Sequence, residues 1–240
     1  MGSGKGNTMS IWERLSDLLS GKQVSSLLGF GSTNQDRRQR AEQDNEVPFT
    51  LGVIVLSAKM AKADGIVAAD EVKAFKEAFK VSGAEMKRAA PVFNSAKRDA
   101  ANFEAHAEQL VTIFNGNRKL LESVLDGLFH IAKADQDVHR QEEEFLAAVA
   151  KTFGFTAGEF NTIRARHMVA DKRNPYEVLG LTPSVSDEEL ESHYRRLFAD
   201  NDAEQLIAQG VPKEFVIIAL ERRVALSEAY RAIMKERLDS

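Results

Sequence analysis

The sequence predicts an all-α protein in two parts: a helical bundle built on an internal repeat, and a smaller helical unit at the C-terminus. Three observations carry this. The chain has only five prolines and is rich in Ala, Lys, Glu and Leu, a composition that favours helix throughout. An acidic motif occurs twice, each time beside apolar residues at helical spacing. Near the C-terminus, Gly210-Val211-Pro212 separates two further segments with apolar helical faces.

The 240 residues suffice for two small domains, or for one domain with arms. With 43% hydrophobic and 28% charged residues the composition is that of an ordinary globular protein. A formal charge of -4 gives no electrostatic case for nucleic-acid binding. The absence of cysteine excludes disulfides, thiolate zinc sites and thiol catalysis, and suits a reducing compartment. No run approaches the roughly 20 apolar residues that span a bilayer. Trp12-Glu13-Arg14 and Asp17 interrupt the apolar positions that a secretory signal needs. The expected location is the cytoplasm, with peripheral contact at the inner membrane as the alternative.

Residues 1–45 form an N-terminal arm and linker. Ser10 caps a short amphipathic helix over residues 10–20, with Ile11, Leu15, Leu18 and Leu19 on one face. Val24, Leu27, Leu28 and Phe30 extend its apolar character before the polar stretch 32–46. Residues 10–30 suit packing on the protein or a partner; Trp and Leu on one face also suit a membrane surface, although the polar face is not basic.

Residues 46–168 contain the repeat. Ala61-Lys62-Ala63-Asp64-Gly65 returns as Ala132-Lys133-Ala134-Asp135-Gln136, aligning Asp64 with Asp135, Val67 with Val138 and Glu71 with Glu142. Each copy reads as helix, acidic turn, helix, and a pseudo-twofold pairing of the two would bury their apolar faces in one bundle. Between them lie helix candidates at Met86–Phe93 and Phe103–Phe114, the second stopped by Asn115-Gly116-Asn117. Arg164, Arg166 and His167 lead into a linker at 169–173, a basic junction expected to be solvated. In residues 174–240, Ser186 or Asp187 caps a helix through Tyr194, Leu197 and Phe198. A long helix from Lys213 to about Leu238 returns, packing Phe215, Ile218, Leu226 and Ile233 against it.

The order Asn174-Pro175-Tyr176-Glu177-Val178-Leu179-Gly180-Leu181, Ser186-Asp187-Glu188-Glu189-Leu190 and Ala229-Tyr230-Arg231-Ala232-Ile233 resembles a J domain. The doubled acidic motif resembles the TerB-like domain, and a TerB-like domain followed by a J domain is the architecture of DjlA-type J proteins. The resemblance covers residues 46–240. It implies a co-chaperone-like, stress-related, non-enzymatic protein whose partner is a DnaK-type chaperone or another J protein. It also places the partner-binding surface on Arg195 and Arg196 and in the following turn. J domains carry a His-Pro-Asp triplet there; this chain has Asp202-Ala203-Glu204. The resemblance therefore implies impaired stimulation of ATP hydrolysis, since the turn has neither the fixed φ of proline nor an imidazole. Gln205–Gly210 resembles the longer loop of DjlA-type J domains.

Two carboxylate groups are candidate metal ligands: Asp64 with Asp70 and Glu71, and Asp135 with Asp137 and Glu142. Hard cations such as calcium or magnesium take oxygen ligands of this kind, but neither copy has the spacing of an EF-hand loop. The same acids equally suit helix caps, where they favour the helix dipole. No phosphate-binding glycine loop, HExxH motif or GxSxG elbow is present, and His106, His130 and His167 are scattered surface or half-buried positions. Asp126-Gly127, inside an apolar helical pattern, reads as structural.

Overall fold

A computed structural model describes residues 45–64, 102–133, 138–169 and 172–239, together with positions 76, 79, 91 and 94. Among the described residues all regular elements are helical, as the sequence predicts. They are α1 (Glu46–Asp64), α2 (Phe103–Ile113), α3 (Arg118–Ala132), α4 (Arg140–Thr152), α5 (Ala157–His167), α6 (Pro175–Leu179), α7 (Asp187–Asp200), α8 (Ala203–Ala208), a 3-10 turn (Lys213–Phe215) and α9 (Val216–Leu238). The arm at 10–30 and the acidic turns at 65–71 and 134–137 lie outside the described residues, as does the helix candidate Met86–Phe93 apart from single positions.

α1 is apolar on all sides and forms the centre of the bundle, with Phe49, Leu51, Val53, Ile54, Val55 and Leu56 all buried. Thr50 and Ser57 sit inside because their hydroxyls donate back to Glu46 O (2.8 Å) and Ile54 O (3.0 Å). Gly52 faces α2 so closely that a Cβ would come within 2.7 Å of Leu110. The predicted stop after α2 holds: Asn115 (φ 49) and Gly116 (φ 70) take left-handed conformations. Asn117 then caps α3 by accepting from the Lys119 and Leu120 amides.

The C-terminal unit is built the same way. Asn174 caps α6, Pro175 occupies its first turn, and left-handed Gly180 (φ 68) ends it. Ser186 and Glu189 form a capping box at the start of α7. Asp187 pairs with Arg237, Tyr194 stacks on Tyr230 at 4.3 Å, and Arg223 lies 3.8 Å over Phe198. Numbers rise along α7 as they fall along α9, so the two helices run antiparallel.

Among the described residues there are two apolar cores, and α9 enters both. Phe215, Ile218 and Ala219 join Leu206 and Val211 in the bundle core, with Phe215 set edge-on to Phe49 at 5.2 Å. Further along, Ala225, Leu226, Ala229 and Ile233 join Tyr176, Leu179 and Leu190 in a second, smaller core. The segment expected as a loop at 205–210 is mostly the helix α8, whose Leu206 anchors it to the bundle. At its end Gly210 (φ 100) meets Asn45, whose side chain donates to Gln209 O at 3.0 Å.

Candidate functional site

The segment that follows α7 is organised by its own polar side chains. Asn201 folds back to donate to Leu197 O at 2.7 Å. Asp202 caps α8, accepting from the Glu204 amide at 3.0 Å and the Gln205 amide at 3.4 Å. Its second carboxylate oxygen meets Arg223 at 3.3 Å. Ala203 and Glu204 form the first turn of α8, so the three predicted turn residues belong to a helix start. Asp200 accepts from Lys119 of α3 at 3.0 Å, a link back to the bundle.

Arg195 and Arg196 lie on the outward face of α7. Arg195 is 75% exposed and pairs with Glu191 one turn earlier at 2.5 Å. Arg196 donates to His193 Nδ1 at 2.8 Å, and His193 Nε2 donates to the Leu179 carbonyl at 2.8 Å. That arrangement leaves a solvated face with two guanidinium groups beside a turn whose Asp200 and Asp202 carboxylates are already engaged.

A buried layer of charge links α3 and α5 of the bundle to α9 and Asn201 of the C-terminal unit. Asp126 of α3 accepts from Arg222 of α9 through one oxygen and from His167 Nε2 of α5 through the other, at 2.7 Å. Glu122, one turn earlier on α3, accepts from Arg166 at 2.5 Å, and Arg222 also donates to Asn201 Oδ1 at 2.5 Å. The side chains of Asp126 and Arg222 are only 1% and 4% exposed. Burial pushes the Asp126 carboxyl up, but Arg222, then the His167 hydrogen bond, outweigh it and hold the group well below the usual carboxylate range. Burial pushes the His167 imidazole down from its ordinary value, and Asp126 restores only part of that. Burial also disfavours the charged Arg222, yet Asp126 and Glu122 lift it above the ordinary guanidinium value. With a neutral imidazole, the layer holds two carboxylates against two guanidinium groups.

Two expectations are corrected here. The basic junction is solvated only in part: Lys172 is exposed, but Arg166 and His167 close the last turn of α5 with side chains that are each 7% exposed. Arg173, beyond it, donates to Met168 O and pairs with Glu228 of α9. Of the three histidines expected at surface or half-buried positions, His106 is instead buried, while His130 and His167 are half-buried as expected, their side chains 11% and 7% exposed. His130 and Lys133 both meet Glu221; burial pushes that carboxyl up, but the two hydrogen bonds bring it down to about 2. The signal for the layer was present in the sequence: Glu122 and Asp126, four apart, interrupt an otherwise apolar stripe on α3.

Of the candidate metal ligands, Asp70, Glu71, Asp135 and Asp137 lie outside the described residues, and Asp64 is described only as the end of α1. Glu142 serves a capping box, accepting from the His139 amide at 2.8 Å. Among the described residues no group of three or more His, Asp or Glu side chains is placed to hold a metal ion.

Residues 50–165 match the family model described as tellurite resistance protein TerB. The chain is also similar along most of its length to proteins named Co-chaperone protein DjlA. That of Photobacterium profundum is 27% identical, covering 87% of this chain and 84% of the relative. Those of Vibrio cholerae and Coxiella burnetii are 25% and 27% identical, covering 89% and 85% of this chain and 84% and 83% of the relatives. No solved structure matches. The TerB match along the bundle and the similarity to DjlA co-chaperones across both cores support a DjlA-type, TerB-containing protein.

Proposed function

We propose that this protein is a co-chaperone-like interaction module that engages a DnaK-type chaperone or another J protein through the outer face of α7, without stimulating ATP hydrolysis in the ordinary J-protein way. The observation that carries this reading is the fate of Asp202. Its carboxylate caps α8 and meets Arg223, and neighbouring Asn201 is held by Arg222. A carboxylate already satisfied by two amides and a guanidinium has little left to offer a partner. Arg195 and Arg196 remain solvated and can meet an acidic groove. The test is single-turnover ATP hydrolysis by the DnaK-type chaperone, with this protein and with a variant carrying Asp202→His, Ala203→Pro and Glu204→Asp. The reading expects stimulation from the variant only; stimulation by the natural chain would overturn it.

A second reading makes the C-terminal unit structural and the TerB-like part a scaffold that binds calcium or magnesium at its acidic turns. The buried layer supports its first half, because Arg222 ties that unit to Asp126 of α3. It expects either ion to raise the melting temperature, and Asp64→Asn with Asp135→Asn to abolish the rise. Among the described residues no helix is long and apolar enough to cross a membrane. Peripheral contact through residues 10–30 is a separate proposal, tested by vesicle co-sedimentation with and without residues 1–31.

A further inference from the structure

The segment that follows α7 is held from outside its own unit. Asp200 accepts from Lys119, at the start of α3, at 3.0 Å. Leu206 and Val211 are buried in the bundle core, and Ala203 packs against it. Gln209 O accepts from Asn45, just ahead of α1, at 3.0 Å. Among these anchors stands Asn201, buried at the end of α7.

The Asn201 amide is committed at both ends. A carbonyl only accepts and a guanidinium only donates, so its Nδ2 serves Leu197 O and its Oδ1 serves Arg222. The same Arg222 turns its other terminal nitrogen, Nη2, to Asp126 of α3. A planar guanidinium held by two partners is fixed in rotation as well as in position. One buried side chain thus ties Asn201 to the bundle. The next residue, Asp202, caps α8 through the Glu204 and Gln205 amides. A shift of Asn201 therefore moves the cap, and with it the end of α7 and the start of α8.

We infer that Arg222 is a positioning residue for the outer face of α7: anchored on Asp126, it holds Asn201, so that the TerB-like bundle sets how that face and the following turn are presented. Its meaning for a partner rests on the proposed function; the coupling between bundle and turn does not. Without Arg222 the Asn201 oxygen is a buried acceptor with no donor, and the turn opens to hydrate it.

The experiment is residue-level amide hydrogen exchange on the full chain and on three variants. These are Asn201→Ala, the pair Asp126→Leu with Arg222→Met, and all three changes together. The pair removes the connection without stranding a charge. Losing a hydrogen bond to a charged group should speed exchange at Glu204, Gln205 and Leu206 about tenfold or more beyond any change at Leu125 and Leu128 of α3. Asn201→Ala and the pair cut the same connection, so the combined variant should exceed the pair by less than about threefold. Exchange in α8 that rises no more than in α3, or a combined effect equal to the product of the two, would overturn the inference. If the pair does not fold, Asn201→Ala against the natural chain decides by the first criterion. Co-sedimentation with the DnaK-type chaperone reads the consequence for a partner. The loosened variants are expected to bind about threefold or more weakly than the natural chain, and equal binding would overturn that consequence. A natural chain that does not bind refutes the proposed function instead and leaves the exchange result standing.

Discussion

Two ion pairs of the same chemistry sit in this molecule under opposite conditions. Arg195–Glu191 lies on the outside of α7, its side chains 75% and 49% exposed. Arg222–Asp126 joins α9 to α3, its side chains 4% and 1% exposed. Water screens the first pair and competes for its hydrogen bonds, so it contributes about 0.3–0.5 kcal/mol and leaves Arg195 available to a partner. The second pair has given up its hydration, and neither member can lose the other without leaving a buried charge uncompensated. The comparison separates a surface that can act from a layer that must hold.

The largest expected effect comes from breaking the buried pair. Asp126→Ala should destabilise the protein by about 3–5 kcal/mol in urea unfolding. Replacing both partners, as Asp126→Leu with Arg222→Met, should cost clearly less, because no charge is stranded; equal losses would mean that packing rather than charge holds the layer.

Acidification probes the same layer more gently. The folded-state pKa of His167 is depressed below 6.5, so its contribution to stability is complete above that value and is lost as pH falls below it. Protonation would add a positive charge beside Arg166 and Arg222. Melting temperature should therefore begin to fall below about pH 6.5, and His167→Gln should remove that part of the decline. Asp126, also depressed, adds its own loss only below its ordinary value of 3.8.

Two smaller effects sharpen the contrast at the surface. Asp202→Ala removes the cap of α8 and should cost about 1 kcal/mol in the same unfolding measurement. Arg195→Ala should change stability by less than about 0.5 kcal/mol. If the outer face of α7 is the partner surface, charge reversal at Arg195 and Arg196 nonetheless abolishes co-sedimentation with the chaperone, with the hydrolysis rate unchanged.

Much of the local structure was legible. Ser186 caps α7 because a short polar side chain beside an apolar run reaches amides three residues on, and Asn115-Gly116-Asn117 stops α2 because Asn and Gly tolerate left-handed backbone. The antiparallel packing of α7 and α9 followed from matching apolar faces across a break. What was misread were residues whose meaning depends on distant partners. His167 meets Asp126 across 41 positions, and Arg222 meets it across 96. Next to Asp171-Lys172-Arg173, the run Arg164-Ala165-Arg166-His167 looks like a charged connector, and no local spacing reveals that Arg166 and His167 turn inward.

The sequence by itself determined the all-α class, the cap of α7, the stop after α2, the family likeness and the absence of the His-Pro-Asp triplet, since these depend on composition and on contacts within a few residues. Tertiary structure alone decided that α9 closes two cores, that Asn201 and Asp202 are spent on internal bonds, and that five charged or imidazole groups share one layer. A buried charge is tolerable only where an opposite one arrives from elsewhere in the chain, and that arrival is a property of the packed molecule.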